Sequence, residues 1–384
     1  MLRIPVRNRE NWRVRLEELG LLYHTHEDGS PYWQEGVCYQ FTSGQIEFLE
    51  RAVVELQRLC IEAVDRIIAE RRYQTFALPP EIVPVIEESW GRDEVSIYGR
   101  FDLAWDGKGM PKLLEYNADT PTSLVEAAIA QWYWLQDLRP SGDQFNSLHE
   151  RLVEAWKRWA PGLPEGPVYF LSQDTVEDNQ TTAYLRDTAH QAGLPTLQMN
   201  LDDLGWDPTR GCFVDIDERP VKAAFKLYPW EFMVRDAFGQ HLAQQPRPCA
   251  WLEPPWKMLL SNKAILPILW EWYPDCPYLL PSYQDGPREL AYSGFARKPI
   301  LGREGANVEI CRPGEALISS NANPAYGAEG HIWQAIAHVP LFDGWFPILG
   351  AWIVDGEPAG LGIRESRTPI TDNHSCFVPH EIVD

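Results

Sequence analysis

Two stretches decide the fold class of this chain: "YGRFDLAW" at residues 98–105 and "KLLEYNADTPTS" at residues 112–123. Both are β-rich, and "DGKG" at 106–109 between them is a turn signal, so the pattern predicts a β-hairpin over 95–117. Side chains two positions apart on a strand lie on one face. Arg100 therefore shares a face with Asp102, and Glu115 shares a face with Asn117. Pairing of the strands would bring all four side chains to one patch.

That patch has two interpretations. Carboxylate and amide oxygens are hard donors that suit Mg²⁺, and an arginine beside them would contact a phosphoryl group or a carboxylate. Antiparallel sheets commonly have one solvated face, so a set of charged side chains in water is equally consistent with the spacing. The spacing alone leaves both interpretations open.

A second cluster combines two lysines with a glycine-containing loop. Lys263 lies in "SNKAILPILW" (261–270), and Lys298 lies in "FARKPILGREGANVEI" (295–310), each at the edge of an apolar run. Gly302 and Gly305 flank a polar tip whose backbone N–H groups could approach a phosphate. The segment lacks the GxxxxGK[ST] spacing of a P-loop, so a plain hairpin turn is the alternative.

A third candidate is Arg364 in "GLGIRESRTPIT" (360–371), at a predicted strand end. An arginine there could stabilise developing negative charge. The alternative is a surface arginine paired with Glu357 or Glu365.

The rest of the chain supplies a mixed set of elements. Helical spacing predicts a long amphipathic helix over 42–72, with Thr42 or Ser43 as its cap. Residues 164–230 have a βαβ-like pattern that includes a helix closed by Gly193. After Pro267 the pattern predicts short, antiparallel strands.

Taken together, "YGRFD", "LLEYNADTPTS", "SNKAILPILW", "FARKPILGREGANV" and "GLGIRES" resemble the synthetase part of the glutathionylspermidine synthases, an ATP-grasp family of carboxylate–amine ligases. The resemblance covers nearly the whole chain and implies an α+β, ATP-grasp fold, with antiparallel sheets enclosing the nucleotide and a βαβ-like pre-ATP-grasp segment. It implies one synthetase unit over 1–384, with an N-terminal part carrying the metal-binding hairpin (1–160), a βαβ-like substrate segment (161–245) and a nucleotide-binding part (246–384).

The resemblance also implies roles for individual residues. The expected Mg²⁺ ligands are Asp102, Glu115 and Asn117. The expected ATP contacts are Arg100, Lys263, Lys298, Gly302, Gly305 and Gln334. Arg364 and Arg100 are the expected catalytic residues, and the expected substrate contacts are Thr120, Thr122, Ser123, Glu177 and Asp178.

The implied activity is ATP- and Mg²⁺-dependent formation of an amide through an acyl phosphate, from a small-molecule or peptide carboxylate and a polyamine or other amine. The alternatives are a non-catalytic ATP-grasp-like protein that binds nucleotide or peptide, and a kinase that stops at the acyl phosphate. Thr120 and Thr122 stand where serines are typical of the family, and Ser123 stands where a cysteine occurs in bifunctional members. Glutathione and spermidine are therefore left open as substrates. The sequence contains no cysteine amidase segment, so product hydrolysis is not expected from it.

Composition narrows the classes further. The 384 residues carry 34 basic and 55 acidic side chains, a net charge of −21, which disfavours binding to nucleic acid or anionic membranes and attracts cationic amines. Seven cysteines without a CxxC pair are typical of a reducing compartment. No signal peptide or membrane span is recognisable, so we expect a cytoplasmic protein. The sequence gives no indication of oligomeric state.

Overall fold

The structure is a computed structural model that describes all residues, 1–384. Its strands, in chain order, are β1 Leu2–Pro5, β2 Val37–Phe41, β3 Tyr98–Ala104, β4 Lys112–Asn117, β5 Val168–Ser172, β6 Thr196–Asn200, β7 Gly205–Asp207, β8 Cys212–Val214, β9 Ala223–Leu227, β10 Ala250–Leu252, β11 Ser282–Tyr283, β12 Phe295–Pro299, β13 Glu309–Cys311, β14 Ile318–Ser319, β15 His331–Ala335, β16 Phe346–Val354, β17 Glu357–Ser366, β18 Cys376–Val378 and β19 His380–Ile382.

The α-helices are α1 Trp12–Glu18, α2 Ser43–Glu70, α3 Val83–Gly91, α4 Gln131–Leu138, α5 Leu148–Trp159, α6 Val176–Gln191, α7 Trp230–Met233, α8 Met258–Ser261, α9 Ile265–Trp272 and α10 Leu290–Ser293. A π-helical turn, Glu126–Ala130, precedes α4. Short 3₁₀ turns lie at Gln74–Phe76, Pro80–Ile82, Ala160–Gly162, Leu201–Asp203, Gly239–His241 and Pro255–Lys257.

Helix α2 confirms the predicted amphipathic helix. Thr42 caps its N-terminus, where the Thr42 side chain accepts from the Gln45 N–H and the Gln45 side chain accepts from the Thr42 N–H. This reciprocal capping box satisfies two N–H groups that the helix itself cannot. Its apolar face lies in the larger core cluster of 52 buried residues, which also includes side chains from the hairpin.

The βαβ-like segment supplies β5, β6 and β9 of a four-stranded parallel sheet in the order β10-β9-β5-β6, and β10 comes from beyond the segment. Helix α6 connects β5 to β6, which pair in parallel, and Thr175 caps the helix while Gly193 follows it at φ +92°. The predicted strand–helix–strand unit is confirmed.

The strands of the C-terminal half lie mainly in two five-stranded antiparallel sheets, in the orders β11-β15-β12-β13-β14 and β18-β17-β16-β3-β4. The predicted hairpin is β3–β4, and it joins the second sheet because β3 pairs with β16. This sheet thus combines strands from the first and third predicted parts of the chain, whose boundaries stay predictions. Smaller sheets, β1-β2-β19 and β7-β8, complete the fold.

Burial tests the solvated-face interpretation of the hairpin. All seven residues of β3 are buried, and Arg100 and Asp102 are 5% and 2% exposed. A charge is costly to bury unless it is paired and hydrogen-bonded. The solvated-face interpretation is therefore wrong for β3, and its charged side chains must have partners.

Candidate active site

The hairpin register places the four predicted side chains side by side. Arg100 is opposite Asn117, and Asp102 is opposite Glu115. Arg100 Nε donates to Asp102 Oδ1 over 2.7 Å, and Arg364 Nη2 donates to Asp102 Oδ2 over 2.9 Å. Asp102 is thus held between two guanidinium groups, the second of which comes from β17.

Glu115 is held by lysine. Lys263 Nζ lies 3.0 Å from Glu115 Oε2. Burial alone would raise the pKa of Glu115, but attraction to Lys263 and Lys298 lowers it well below its ordinary value. This carboxylate is therefore ionised at neutral pH.

Lys298 projects from β12 toward the same patch. Its Nζ donates to the Leu114 carbonyl over 2.9 Å and to Gln334 Oε1 over 2.7 Å. Burial lowers the pKa of Lys298 to about 8, and repulsion from Lys263 acts in the same direction while Glu115 opposes it. Gln334, one of the predicted ATP contacts, here accepts a hydrogen bond from this ammonium group.

The donor set fits a hard divalent cation. Asn117 Nδ2 lies 3.1 Å from Asp102 Oδ2 and 3.3 Å from Glu115 Oε1, so one position is within hydrogen-bond reach of both carboxylates. Rotation of the amide would turn its oxygen toward that position, giving three oxygen donors of the kind that Mg²⁺ prefers. No group of three or more His, Cys, Asp or Glu side chains that could hold a metal ion occurs in the chain, so this candidate site depends on the Asn117 oxygen as its third donor.

A cavity of about 430 Å³ opens beside this patch, between the two five-stranded sheets. Asp102, Glu115 and Lys298 line its polar end, and apolar side chains such as Ile310, Ile336 and Ile348 line the rest. An apolar slot that ends in cations and carboxylates matches a flat heteroaromatic group attached to a phosphate chain.

The loop with Gly302 and Gly305 covers the polar end. Lys263 Nζ donates to the Gly302 carbonyl over 2.7 Å. Gly305 has φ +67°, and a Cβ there would lie 2.1 Å from the Thr371 carbonyl oxygen, so only glycine fits. Arg303, between the two glycines, donates to Thr120 Oγ1 and so connects this loop to the loop that follows β4.

Residues 118–123, which we call the acceptor loop, follow β4 directly. Thr122 presents its carbonyl to Arg100 Nη1 at 2.6 Å. Ser123 ends the loop in the left-handed region, at φ +66°, a strained conformation for a serine. Asp119 anchors the loop, because its Oδ1 accepts from Lys226 Nζ over 2.6 Å and both side chains are fully buried.

Glu177 and Asp178 lie in the first turn of α6 and are only partly exposed. Burial raises the pKa of each carboxyl. The Thr122 side chain opposes this shift in the pKa of Glu177, because the two side chains lie close together beside the acceptor loop. All the predicted substrate residues thus belong to one neighbourhood, and their roles stay predictions.

Several residues of this site were not predicted from the sequence. Arg303 lies in "FARKPILGREGANVEI", where only the two glycines gave a signal. Lys226 and Asp119 pair over 107 positions, and Tyr32 and Glu126 pair over 94 positions, so no local motif marks them.

This chain is similar to known proteins over nearly its whole length. The profile described as "Glutathionylspermidine synthase preATP-grasp" matches residues 3–383. The chain is 38% identical over 367 residues to a protein of Haemophilus influenzae described as a candidate acid–amine ligase, covering 93% of this chain and 92% of that protein.

Two further relatives are longer than the matched region. Trypanothione synthetase of Crithidia fasciculata is 30% identical, covering 97% of this chain and 61% of its own length. The bifunctional glutathionylspermidine synthetase/amidase of Escherichia coli is 27% identical, covering 90% of this chain and 59% of its own length. The chain thus matches about three fifths of each of these two proteins.

Among solved structures, a glutathione synthetase-like effector from Globodera pallida in its apo form matches with a TM-score of 0.55 at 12% identity, over 97% of this chain and 96% of that one. This likeness concerns the fold alone. It agrees with the two antiparallel sheets around the cavity and confirms the predicted α+β, ATP-grasp architecture.

The fold and the matches together define the class, a C–N ligase with an ATP-grasp fold. The chain belongs to the glutathionylspermidine synthase family and is an acid–amine ligase of the glutathionylspermidine synthetase type. None of its helices is both long enough and apolar enough to cross a membrane.

Proposed function

We propose that this protein joins a carboxylic acid to an amine by way of an acyl phosphate, using ATP with Mg²⁺. One observation carries the proposal: the polar end of the inter-sheet cavity gathers two carboxylates, an amide and four cationic side chains from five separate segments. These side chains are Arg100, Asp102, Glu115, Asn117, Lys263, Lys298 and Arg364.

The first step is attack of the substrate carboxylate on the γ-phosphate of ATP. In our proposal Lys263 and Lys298 bind the phosphate oxygens, since their ammonium groups converge on the polar end of the cavity. Mg²⁺ bound by Asp102, Glu115 and Asn117 would offset phosphate charge. The loop at Gly302–Gly305 would cover the phosphates and exclude water from the acyl phosphate.

The second step is attack of the amine on the acyl carbon, with release of phosphate. Arg364 and Arg100 lie on either side of Asp102, so both can face the oxyanion of the tetrahedral intermediate. The acidic side chains Glu177 and Asp178 beside the acceptor loop suit a cationic amine, and the net charge of −21 would steer it toward the protein.

The substrate class follows from the relatives. The names of two relatives refer to glutathionylspermidine and trypanothione, so we propose a thiol peptide such as glutathione as the acid and a polyamine such as spermidine as the amine. Thr120 and Thr122 would contact the acid, because their loop lies between Arg100 and Arg303, and Ser123 at the end of the loop would lie where the acid meets the amine.

A coupled assay for ADP release tests the proposal, with glutathione and other small peptides as acids and with spermidine, other polyamines and amino acids as amines. The expected result is ADP release that requires both an acid and an amine, with mass-spectrometric detection of the condensed product. Tight binding of ATP without turnover would favour the non-catalytic alternative, and a stable phosphorylated acid would favour the kinase.

Metal variants give this assay its control. Asp102→Asn and Glu115→Gln should abolish turnover at limiting Mg²⁺, while Asp106→Asn, in the hairpin turn, should not. Asp106 only accepts from the Lys108 and Gly109 N–H groups, which the asparagine carbonyl can still do. Near-normal turnover of either site variant at limiting Mg²⁺ would overturn the metal assignment.

A further inference from the structure

Glu126 is a buried carboxyl that the mechanism above does not use. It is fully buried, in the first position of the π-helical turn Glu126–Ala130, and its Oε2 has no hydrogen-bond partner. π-helical turns occur preferentially at functional sites, and an unpaired buried carboxylate oxygen is costly. A purely structural carboxyl at this position would be expected to have both oxygens satisfied.

The hydrogen bonds that lead from Ser123 through Tyr32 to Glu126 all have the same direction. Tyr32 Oη donates to Glu126 Oε1 over 2.8 Å, and Tyr32 Oη and Ser123 Oγ are 3.0 Å apart. Because a tyrosine hydroxyl has one proton and Tyr32 gives it to Glu126, Ser123 must donate to Tyr32. Every proton in this chain therefore points toward the carboxylate.

The outer end of the chain lies at the reaction site. Ser123 directly follows Thr122, whose carbonyl accepts from Arg100. The left-handed backbone conformation of Ser123, at φ +66°, is strained, so the surrounding contacts must stabilise it. With its proton directed to Tyr32, the Ser123 oxygen keeps lone pairs free to accept a hydrogen bond from a substrate.

We propose that Ser123, Tyr32 and Glu126 form a proton relay that removes a proton from the attacking amine, with Glu126 as the final acceptor. This inference rests on the proposed ligase function and deepens it, because amide formation needs a base for the amine. Ser123 is the residue that touches the amine. Tyr32 and Glu126 act through it.

The amine attacks as the free base, having given its first ammonium proton to bulk water, and the relay takes the second proton. The ammonium ion that forms as the amine adds to the acyl carbon gives one proton to Ser123 Oγ. The serine proton moves to Tyr32 Oη, and the tyrosine proton moves to Glu126 Oε1. The amide leaves neutral, phosphate leaves with the electron pair of the broken C–O bond, and Glu126 is left protonated until it exchanges with water after product release.

The charge environment sets the pH range of the relay. Burial, with repulsion from Glu177 of α6 as the next contribution, raises the pKa of Glu126 to about 7, while Tyr32 and Arg100 oppose the shift. Burial also raises the pKa of Tyr32 well above its ordinary value, so its hydroxyl passes a proton on without ionising. Glu126 accepts a proton as the carboxylate, and the relay should therefore fail as the pH falls through about 7.

The test compares two nucleophiles. The adduct that spermidine forms is an alkylammonium ion, which is weakly acidic and needs a base. Hydroxylamine is largely unprotonated at neutral pH and forms a far more acidic adduct, which loses its proton to water, so it captures acyl phosphates without a base. With Mg–ATP and the acid that gives ADP release in the assay above, glutathione first, Glu126→Gln and Tyr32→Phe should lower spermidine turnover by about 10²-fold, the usual contribution of a general base. Hydroxamate formation should fall much less, so the ratio of the two rates drops.

The pH profile and a spectroscopic titration separate the relay from a structural role. The wild-type rate per concentration of free-base spermidine should decline below about pH 7, and this limb should be absent in Glu126→Gln. Infrared difference titration should show a buried carboxyl with a midpoint near that pH in the wild type and not in the variant. Should Glu126→Gln fail to fold, Tyr32→Phe and Ser123→Ala break the same chain and leave the carboxylate in place.

Tyr23→Phe is the matched control. The Tyr23 ring packs against Tyr32 at 5.1 Å between centroids, but its hydroxyl bonds to His26 and not to the relay. The rate ratio should be unchanged in this variant. If Glu126→Gln keeps the wild-type ratio and the acid limb, the relay is wrong although the ligase stands. If the wild-type chain releases no ADP with any acid and amine, the proposed function is wrong, and the proton relay, which depends on that function, is wrong as well.

Discussion

Arg364 donates to Asp102 over 2.9 Å, although 262 positions separate the two residues in the chain. The contact joins β17 to the hairpin across β16, which lies between them in the sheet. A carboxylate shared by two arginines can release either guanidinium to an incoming anion and keep the other. This arrangement suits a site where negative charge arrives on ATP and then shifts to the acyl oxygen.

Arg364→Ala should therefore lower kcat by about 10²–10³-fold, the usual effect of losing one oxyanion donor, and weaken ATP binding far less. Steady-state kinetics with a separate measurement of ATP affinity would distinguish the two effects. Arg367→Ala is the control, since Arg367 lies over the Trp345 ring at 3.7 Å and donates to the Gly344 carbonyl, outside the site. A pure loss of ATP affinity in Arg364→Ala would contradict the catalytic role.

Lys298 predicts a pH dependence of nucleotide binding. Burial lowers its pKa to about 8, so the ammonium form is lost as the pH rises through that value. ATP favours the charged form, and the affinity for ATP should fall between pH 7 and pH 9 by roughly tenfold, equivalent to about 1.4 kcal/mol. Calorimetric titration at both pH values measures this change.

The stability of the free protein should move in the opposite direction. A folded-state pKa below the ordinary value of 10.5 means that the unfolded chain binds this proton more tightly, so stability contributed by Lys298 rises with pH from about 8 to 10.5.

Lys298→Gln should remove the pH dependence of ATP binding. An affinity for ATP in that variant that still falls between pH 7 and pH 9 would assign the effect to another group.

Gly305 predicts a local effect on the loop over the phosphates. In Gly305→Ala the new Cβ would meet the Thr371 carbonyl oxygen at 2.1 Å, so the loop cannot keep its position and turnover should fall with little change in global unfolding. Gly314→Ala is matched for backbone strain, because Gly314 has φ +78° but open space around it. Equal turnover in the two variants would show that the position of the loop does not matter.

The sequence predicted those parts of the fold that are local. The β3–β4 pairing follows from alternation and a turn signal, and α2 follows from its periodicity and cap. The place of β16 beside β3 could not be predicted, because it depends on pairing between strands far apart in the chain. Asp102, Glu115 and Lys298, which come from separate motifs, do line one cavity, although no single motif required it.

The missed residues share a physical cause. In the sequence Glu126 looks like an ordinary helical glutamate, and only the fold shows that it is buried away from water. Lys226 likewise looks like an ordinary polar residue in a strand, and only the fold shows that it pairs with Asp119. Ionisable residues become informative through burial and partners, and both depend on the tertiary fold.

The pair of Lys226 and Asp119 supplies the last prediction. Both side chains are fully buried, Lys226 Nζ is 2.6 Å from Asp119 Oδ1, and Asp119 Oδ2 accepts from the Trp230 N–H. Lys226→Met would leave an unpaired carboxylate in the core and should destabilise the protein by about 3–5 kcal/mol. Denaturant unfolding measures this loss, and adding Asp119→Asn to the variant should recover part of it, since the buried charge is then gone. Because Asp119 also anchors the acceptor loop, turnover should remain low in the double variant even where stability returns, and recovery of both together would show that the pair serves stability alone.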